Sequence, residues 1–279
     1  MASPIRGIDH AIICVNDLDL AKDTFERMGF TLTPRGVHSL GSENHLAMFG
    51  EDYLELFALP RPHPAFAYFS EFLVSGDGLA AVALKTDDAG AAHRALVAAG
   101  IAAEPPLDLA RPVEVDGGVR EARFRLVRLP VSASPGGWMF LCQHDTPELV
   151  WLPPLQSHAN GATGLAAVTV LCDDVDGTAA VHARLFGRDP VEIAEGLRVD
   201  TGGPAPIAFV TERSLAKRLP GVWITAKPDP VMAALFIHVA SRDDAEATLR
   251  RGGFHPTRMP DGSVAVGAAE AHGVAIIFG

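Results

Sequence analysis

Internal repetition constrains this chain more than any other feature. Two segments nearly coincide, Gly78-Leu79-Ala80-Ala81-Val82-Ala83-Leu84-Lys85-Thr86-Asp87-Asp88 and Gly164-Leu165-Ala166-Ala167-Val168-Thr169-Val170-Leu171-Cys172-Asp173-Asp174. Each is a short apolar strand that ends at an acidic pair and runs into an alanine-rich helical stretch, closing at Gly100 and Gly187 respectively. The same plan opens the chain, where residues 8–15 are apolar, Asn16-Asp17 supplies cap chemistry, and residues 18–28 are helical before Gly29-Phe30. A fourth copy ends it, with a strand at 235–239, a cap at 241–244, a helix at 245–251 and the stop Gly252-Gly253-Phe254. After each helix the pattern shifts to short strand-like runs, in the first unit 30–34, 44–49 and 53–59, so the unit reads βαβββ.

A single unit of this kind cannot bury a sheet face alone, so units should pair, and two pairs make two domains. The expected fold class is α+β, with four βαβββ modules in two domains. The length of 279 residues agrees, at about 100 to 200 residues per domain. Breakers at Leu152-Pro153-Pro154 and His158-Ala159-Asn160-Gly161 place the boundary, giving domains at 1–152 and 164–279 joined by a linker at 153–163. Proline-rich stretches at 59–63 and 225–231 read as connectors between the modules of each pair and not as sites.

The formal net charge of −11 disfavours nucleic acid and anionic membrane as partners. No apolar run reaches the roughly 18 residues of a spanning helix, and Met1-Ala2-Ser3-Pro4-Ile5-Arg6 lacks the apolar core of a signal peptide, so the expectation is a cytoplasmic protein. Cys14, Cys142 and Cys172 are too few and too scattered for a disulfide framework or zinc cluster, and each sits in an apolar run as a small buried hydrophobe. Gly202-Gly203-Pro204 matches no phosphate-binding loop. His93, His182, His255 and His272 stand singly and receive no role.

A repeat with one decorated copy points at a site. Seven residues before the cap aspartate the first unit has His10, where the second has Ala81 and the third Ala167. In the fourth, His238 falls one residue or two out of register, depending on the cap chosen, and a one-residue slip turns a strand side chain to the other face. The last strand of the first unit, Asp52-Tyr53-Leu54-Glu55-Leu56-Phe57-Ala58-Leu59, carries a carboxylate among apolar residues. A buried carboxylate costs several kcal/mol unless paired, protonated or bound to a cation, and a metal would resolve that cost.

Ile8-Asp9-His10, then Val15-Asn16-Asp17-Leu18, with Tyr53-Leu54-Glu55-Leu56 closing the unit, resembles the vicinal oxygen chelate superfamily of glyoxalases and extradiol dioxygenases, in its glyoxalase-like branch. The resemblance implies paired modules forming cup-shaped mixed sheets, with a divalent ion (Zn, Ni, Co, Mn or Fe(II)) held by side chains of the first and last strands of each unit. His10 and Glu55 match such ligand positions. The second unit departs from the pattern with Ala80 and Ala81, but its last strand ends in Gln143-His144. Neighbouring strand residues face opposite sides, so one of these two completes the set, His144 by choice and Gln143 as the alternative. Glu55 and His45 are assigned to proton transfer, and Arg35, His38, Asn44 and Gln143 to substrate contact. His38 and His45 flank Gly41-Ser42-Glu43-Asn44, which positions one of them as a general base or a substrate contact.

The function expected on this resemblance is a metal-dependent lyase, isomerase or dioxygenase acting on a small molecule that chelates through adjacent oxygens. The alternatives are a metal-free sequestering protein of the bleomycin-resistance type and a metal-independent epimerase or cyclase. The C-terminal half has no comparable His and Glu pair, and its last strand is wholly apolar. It is read as a degenerate, metal-free domain that caps, dimerises or shapes the pocket, a homodimer being one assembly it could support.

Overall fold

The computed structural model describes residues 3–115, 117–224 and 227–279. Thr225 and Ala226 of the expected connector at 225–231, and Met1 and Ala2, lie outside the described residues.

The first unit consists of β1 (Ile8–Val15), α1 (Leu18–Arg27), β2 (Gly36–Val37), β3 (Glu43–Met48) and β4 (Tyr53–Ala58). Helix α2 (Ala67–Val74) leads to the second unit, β5 (Gly78–Lys85), α3 (Ala89–Ala98), β6 (Leu107–Val115), β7 (Gly118–Arg128) and β8 (Trp138–His144). The third contains β9 (Ala162–Leu171), α4 (Val175–Phe186), β10 (Val191–Ile193), β11 (Gly196–Val199) and β12 (Ile207–Val210). Helix α5 (Glu212–Arg218) leads to the fourth, β13 (Val231–Val239), α6 (Arg242–Arg251), β14 (Thr257–Arg258), β15 (Val264–Val266) and β16 (Ala275–Phe278). The repeated strand-to-helix corner has one chemical cause. Asp17, Asp88, Asp174 and Ser241 each accept the backbone N–H three residues on, capping α1, α3, α4 and α6.

The units pair into two eight-stranded mixed sheets, β2-β3-β4-β1-β5-β8-β7-β6 and β10-β11-β12-β9-β13-β16-β15-β14. In the first, β1 and β5 run antiparallel at the centre, and each pairs in parallel with the last strand of its own unit. Its edge strands β2 and β6 approach each other, so the sheet nearly closes around its concave face. Strand alternation then divides the apolar residues. Ile13, Leu56, Leu84 and Met139 join Val168, Phe186 and Leu235 in a core shared by both sheets and the helices. Their neighbours Ile12, Phe57, Trp138 and Phe140 point into the first cup.

The expected strand at 30–34 is reduced to one bridge, Thr33 N–H to Leu46 O and Leu46 N–H to Thr33 Oγ1, both 2.9 Å. Pro34 then withholds a ladder donor, and pairing resumes only at Gly36. The stretch 153–163 is pinned to the first unit. His158 Nδ1 accepts the Thr31 N–H at 3.0 Å while its Nε2–H donates to Met48 O at 2.8 Å, and Asn160 donates to Met28 O. The three cysteines are free and buried. Among the described residues no helix is long and apolar enough to cross a membrane.

The two cups differ in what fills them. Leu215 of α5, with Leu219 and Val222 after it, occupies the second cup, and Arg218 lies 4.4 Å above the Phe236 ring. In the first, the connector helix stands at the rim and leaves a cavity.

Candidate active site

The site begins with an irregularity in β1. Ile8 pairs with Leu84 and His10 with Ala83, so Asp9 is an extra residue in the ladder. Such a bulge re-aims a side chain. It brings the fully buried Asp9 carboxylate beside the cup, where Oδ1 accepts from His10 Nδ1 at 2.7 Å and from His144 Nε2 at 2.9 Å. Burial by itself would raise the Asp9 pKa, but the two rings outweigh it and hold the carboxyl well below its usual range. An ionised carboxylate only accepts, so both ring nitrogens facing it carry protons.

That fixes the other side of the His10 ring. Nε2 faces Glu55 Oε2 at 3.4 Å without forming a hydrogen bond, and Glu55 Oε1 accepts from Asn44 Nδ2 at 2.6 Å. Tyr53 stacks on His10 with ring centroids 4.3 Å apart. Asn44 Oδ1 is buried without a partner. Its space exists because residue 36 is glycine, where a Cβ would lie 2.3 Å from that oxygen. His38 enters the same cavity with Nδ1 against Ser42 Oγ at 2.9 Å, and burial lowers its pKa despite the opposing pull of Glu55.

These groups form one polar end of a largely apolar cavity walled by Phe57, Phe66, Phe69, Phe124 and Phe140 among others, with Arg111 and Arg128 also in its lining. It encloses ≈ 790 Å³ of unfilled space including its open mouth.

Two of the residues present, His10 and Glu55, are spaced as ligands of one divalent ion would be, one short of the three protein ligands such a site usually has. Two ligand atoms about 2.1 Å from one tetrahedral ion stand about 3.4 Å apart, and from an octahedral ion about 3.0 Å. His10 Nε2 and Glu55 Oε2 have the tetrahedral spacing. A metal-binding histidine usually gives its second N–H to a carboxylate, as His10 does to Asp9. The second and third units offer no equivalent. Glu55 pairs with the residue two beyond His10; by the same counting the partners of Ala81 and Ala167 are Phe140 and Ala208.

The other residues singled out from sequence lie elsewhere. His144 Nε2 is turned to Asp9 and stands behind His10 instead of joining Glu55. Asp9, Cys142 and His144 do form a group whose donor atoms lie within 4.8 Å of one another. His45 is on the opposite face of β3 from Asn44, with Nδ1 against Thr33 O at 2.8 Å, because strand residues alternate. Arg35 pairs with Asp19 and Glu43 on the surface. Gln143 caps α3 by accepting the Ala89 N–H at 2.7 Å and donates to Asp145.

A family profile described as the glyoxalase-like domain matches residues 8–186 of this chain. The chain belongs to that family. No match is found among curated proteins. Among solved structures, a hypothetical protein from Staphylococcus aureus is similar at a TM-score of 0.70 with 14% identity, covering 98% of each chain. A mutant of 4-hydroxymandelate synthase from Streptomyces coelicolor gives 0.63 with 16% identity, over 99% of this chain and 93% of that one. A xylose isomerase-like TIM barrel/4-hydroxyphenylpyruvate dioxygenase fusion protein gives 0.59 with 15% identity, over 100% of this chain and 49% of its own. At such identities the likeness is one of fold, that of paired vicinal-oxygen-chelate modules.

Within this glyoxalase-like cup, sequence reasoning missed Asp9, Arg111 and the aromatic face of α2. Asp9 gave the same signal as Glu55, a carboxylate in an apolar strand, but its orientation toward the two histidines rests on a bulge that the sequence does not show. Arg111 did give one: Leu107, Leu109, Arg111 and Val113 alternate along β6, a lone charge on an apolar face.

Proposed function

We propose that this glyoxalase-like protein is a divalent-metal-dependent enzyme whose reacting centre is His10 and Glu55 in the first cup, acting on a small molecule that presents adjacent oxygens. The observation that carries the reading is the facing pair, His10 Nε2 and Glu55 Oε2 at 3.4 Å without a hydrogen bond, with Asp9 behind the ring. Asp9 holds the ring's tautomer, and Tyr53 holds its plane. Asn44 orients Glu55 through Oε1, leaving Oε2 toward the cavity. The bound ion would supply Lewis acidity to oxygens that gain negative charge during proton transfer or oxygenation. The aromatic walls exclude water and strengthen every electrostatic contact in the cavity. His38, reaching the cavity from the loop between β2 and β3, is positioned to exchange a proton with bound substrate.

A metal-free acid–base enzyme is the second reading, favoured by Ala81 and Phe140 in the second unit. Elemental analysis after purification without chelators separates the two. The first expects near one equivalent of divalent metal in wild type and in His144→Ala, and none in His10→Ala with Glu55→Ala. Equal trace metal in all three would sink it. Metal lost on His144→Ala but kept in the double variant would move the ion to the Asp9, Cys142 and His144 group.

A further inference from the structure

Arg111 is the one charged side chain on the cup-facing column of β6, between Leu109 and Val113. It is 93% buried, from a relative exposure of 7%. Among the described residues no carboxylate pairs with its guanidinium. Glu55 shares its cavity but stands beyond ion-pair distance. The arrangement around Arg111 looks built for it. Ala122, its partner across the ladder, is small, and a Cβ on residue 36 would approach Arg111 Cδ to 3.6 Å and Asn44 Oδ1 to 2.3 Å. The glycine therefore makes room for the amide that orients Glu55, and Arg111 packs at ordinary contact distance beside it. The other cavity arginine, Arg128, is already committed to Glu104.

A buried cation without a counter-ion is costly, and here the missing charge faces a cavity. We propose that Arg111 is the anion anchor of the cup, gripping a carboxylate on an apolar, aromatic substrate whose other end reaches His10 and Glu55. A carboxylate suits the site better than a phosphate. The planar guanidinium fork matches a planar carboxylate in two parallel hydrogen bonds, and a dianion would meet more repulsion from Glu55 in the same cavity. The phenylalanine rings in the cavity lining favour an apolar, aromatic body, and an aryl carboxylic acid meets both demands. This inference rests on the cup being the substrate site, as the proposed function holds, but not on the ion.

The test uses the full chain, stripped of metal with EDTA, and two probes of one shape, phenylacetate and its uncharged amide phenylacetamide, with binding read by ligand-observed NMR titration. Wild type should prefer phenylacetate by at least about tenfold, the worth of a charge-assisted pair. Arg111→Met should erase that preference while unfolding no earlier than wild type on heating, since it removes an unpaired buried charge and keeps the apolar stem. Arg111→Lys should recover part of the preference. The inference is overturned if wild type binds both probes equally or neither, if Arg111→Met keeps the preference, or if the preference appears only when metal is restored. His10→Ala with Glu55→Ala should keep the preference even though it holds no metal. Failure of the ion and failure of the anchor are thereby read separately.

Discussion

Replacing Asp9 with asparagine is the most informative single perturbation of this centre. In wild type one buried oxygen accepts from two ring N–H groups, at 2.7 and 2.9 Å. The amide keeps the shape but loses the charge. Its Oδ1 can still accept from both rings, but neither bond is then to a charged group, and its NH2 replaces Oδ2, which is buried without a partner. Hydrogen bonds to a charged group are worth about 1.5–3 kcal/mol each, and breaking a buried ionic arrangement from one side costs about 3–5 kcal/mol. We expect Asp9→Asn to destabilise the fold by about 4 kcal/mol and to lower Tm by about 10 °C, at about 2–4 °C per kcal/mol for a protein of this size class. Urea unfolding followed by circular dichroism, at neutral pH and beside Cys142→Ala as a neighbouring control, measures it. The sign with pH is also fixed. The folded carboxyl is held below the ordinary value of 3.8, so its contribution is complete above that pH and fades as the solution is acidified. The gap between wild type and variant should narrow on the acid side. A variant within about 1 kcal/mol of wild type at pH 7 would refute the reasoning.

His182 is buried under Phe209, with Nδ1 against Thr178 O, and burial pushes its pKa from 6.5 down to about 4. The unfolded ring takes its proton first, so stability is full above about pH 7 and falls by about 3 kcal/mol toward pH 4. His182→Phe should flatten that part of the profile in pH-dependent urea unfolding, and an unchanged slope would contradict it. Tyr68 donates to Ala80 O at 2.8 Å, where the β1–β5 ladder is irregular, and accepts the Trp138 N–H at 3.2 Å. Tyr68→Phe should cost about 2 kcal/mol in the same assay and hasten amide exchange at Trp138, whereas unchanged exchange would show that α2 is not latched there.

Much of this architecture was legible before any coordinates. The apolar run, cap and glycine stop recur because each unit solves the same strand-to-helix corner, and local chemistry of that kind survives in sequence. Glu55 could be singled out as the one charged side chain in an apolar strand, and His10 as a ligand-type residue where sister units carry alanine. The same argument applied to β6 would have found Arg111. Facing was harder to read. Asn44 enters the cup and His45 leaves it, and that choice depends on where β3 registers against β4. His144 shares the face of β8 with Phe140, but its distance along the strand carries it past Glu55 to Asp9. The role of Asp9 itself rests on a bulge, which is decided by the neighbouring strand and leaves no mark in its own residues.

The location of the ion tests the central claim most directly. Crystals of protein reconstituted with Zn²⁺, measured on both sides of the zinc absorption edge, would show it as an anomalous difference peak. The expected result is one peak within about 2.0–2.2 Å of both His10 Nε2 and a Glu55 carboxylate oxygen, with Asp9 still bonded to the far side of the ring. A peak bound instead by Asp9, Cys142 and His144, or a His10 and Glu55 pair that stays bare at saturating zinc, would contradict it.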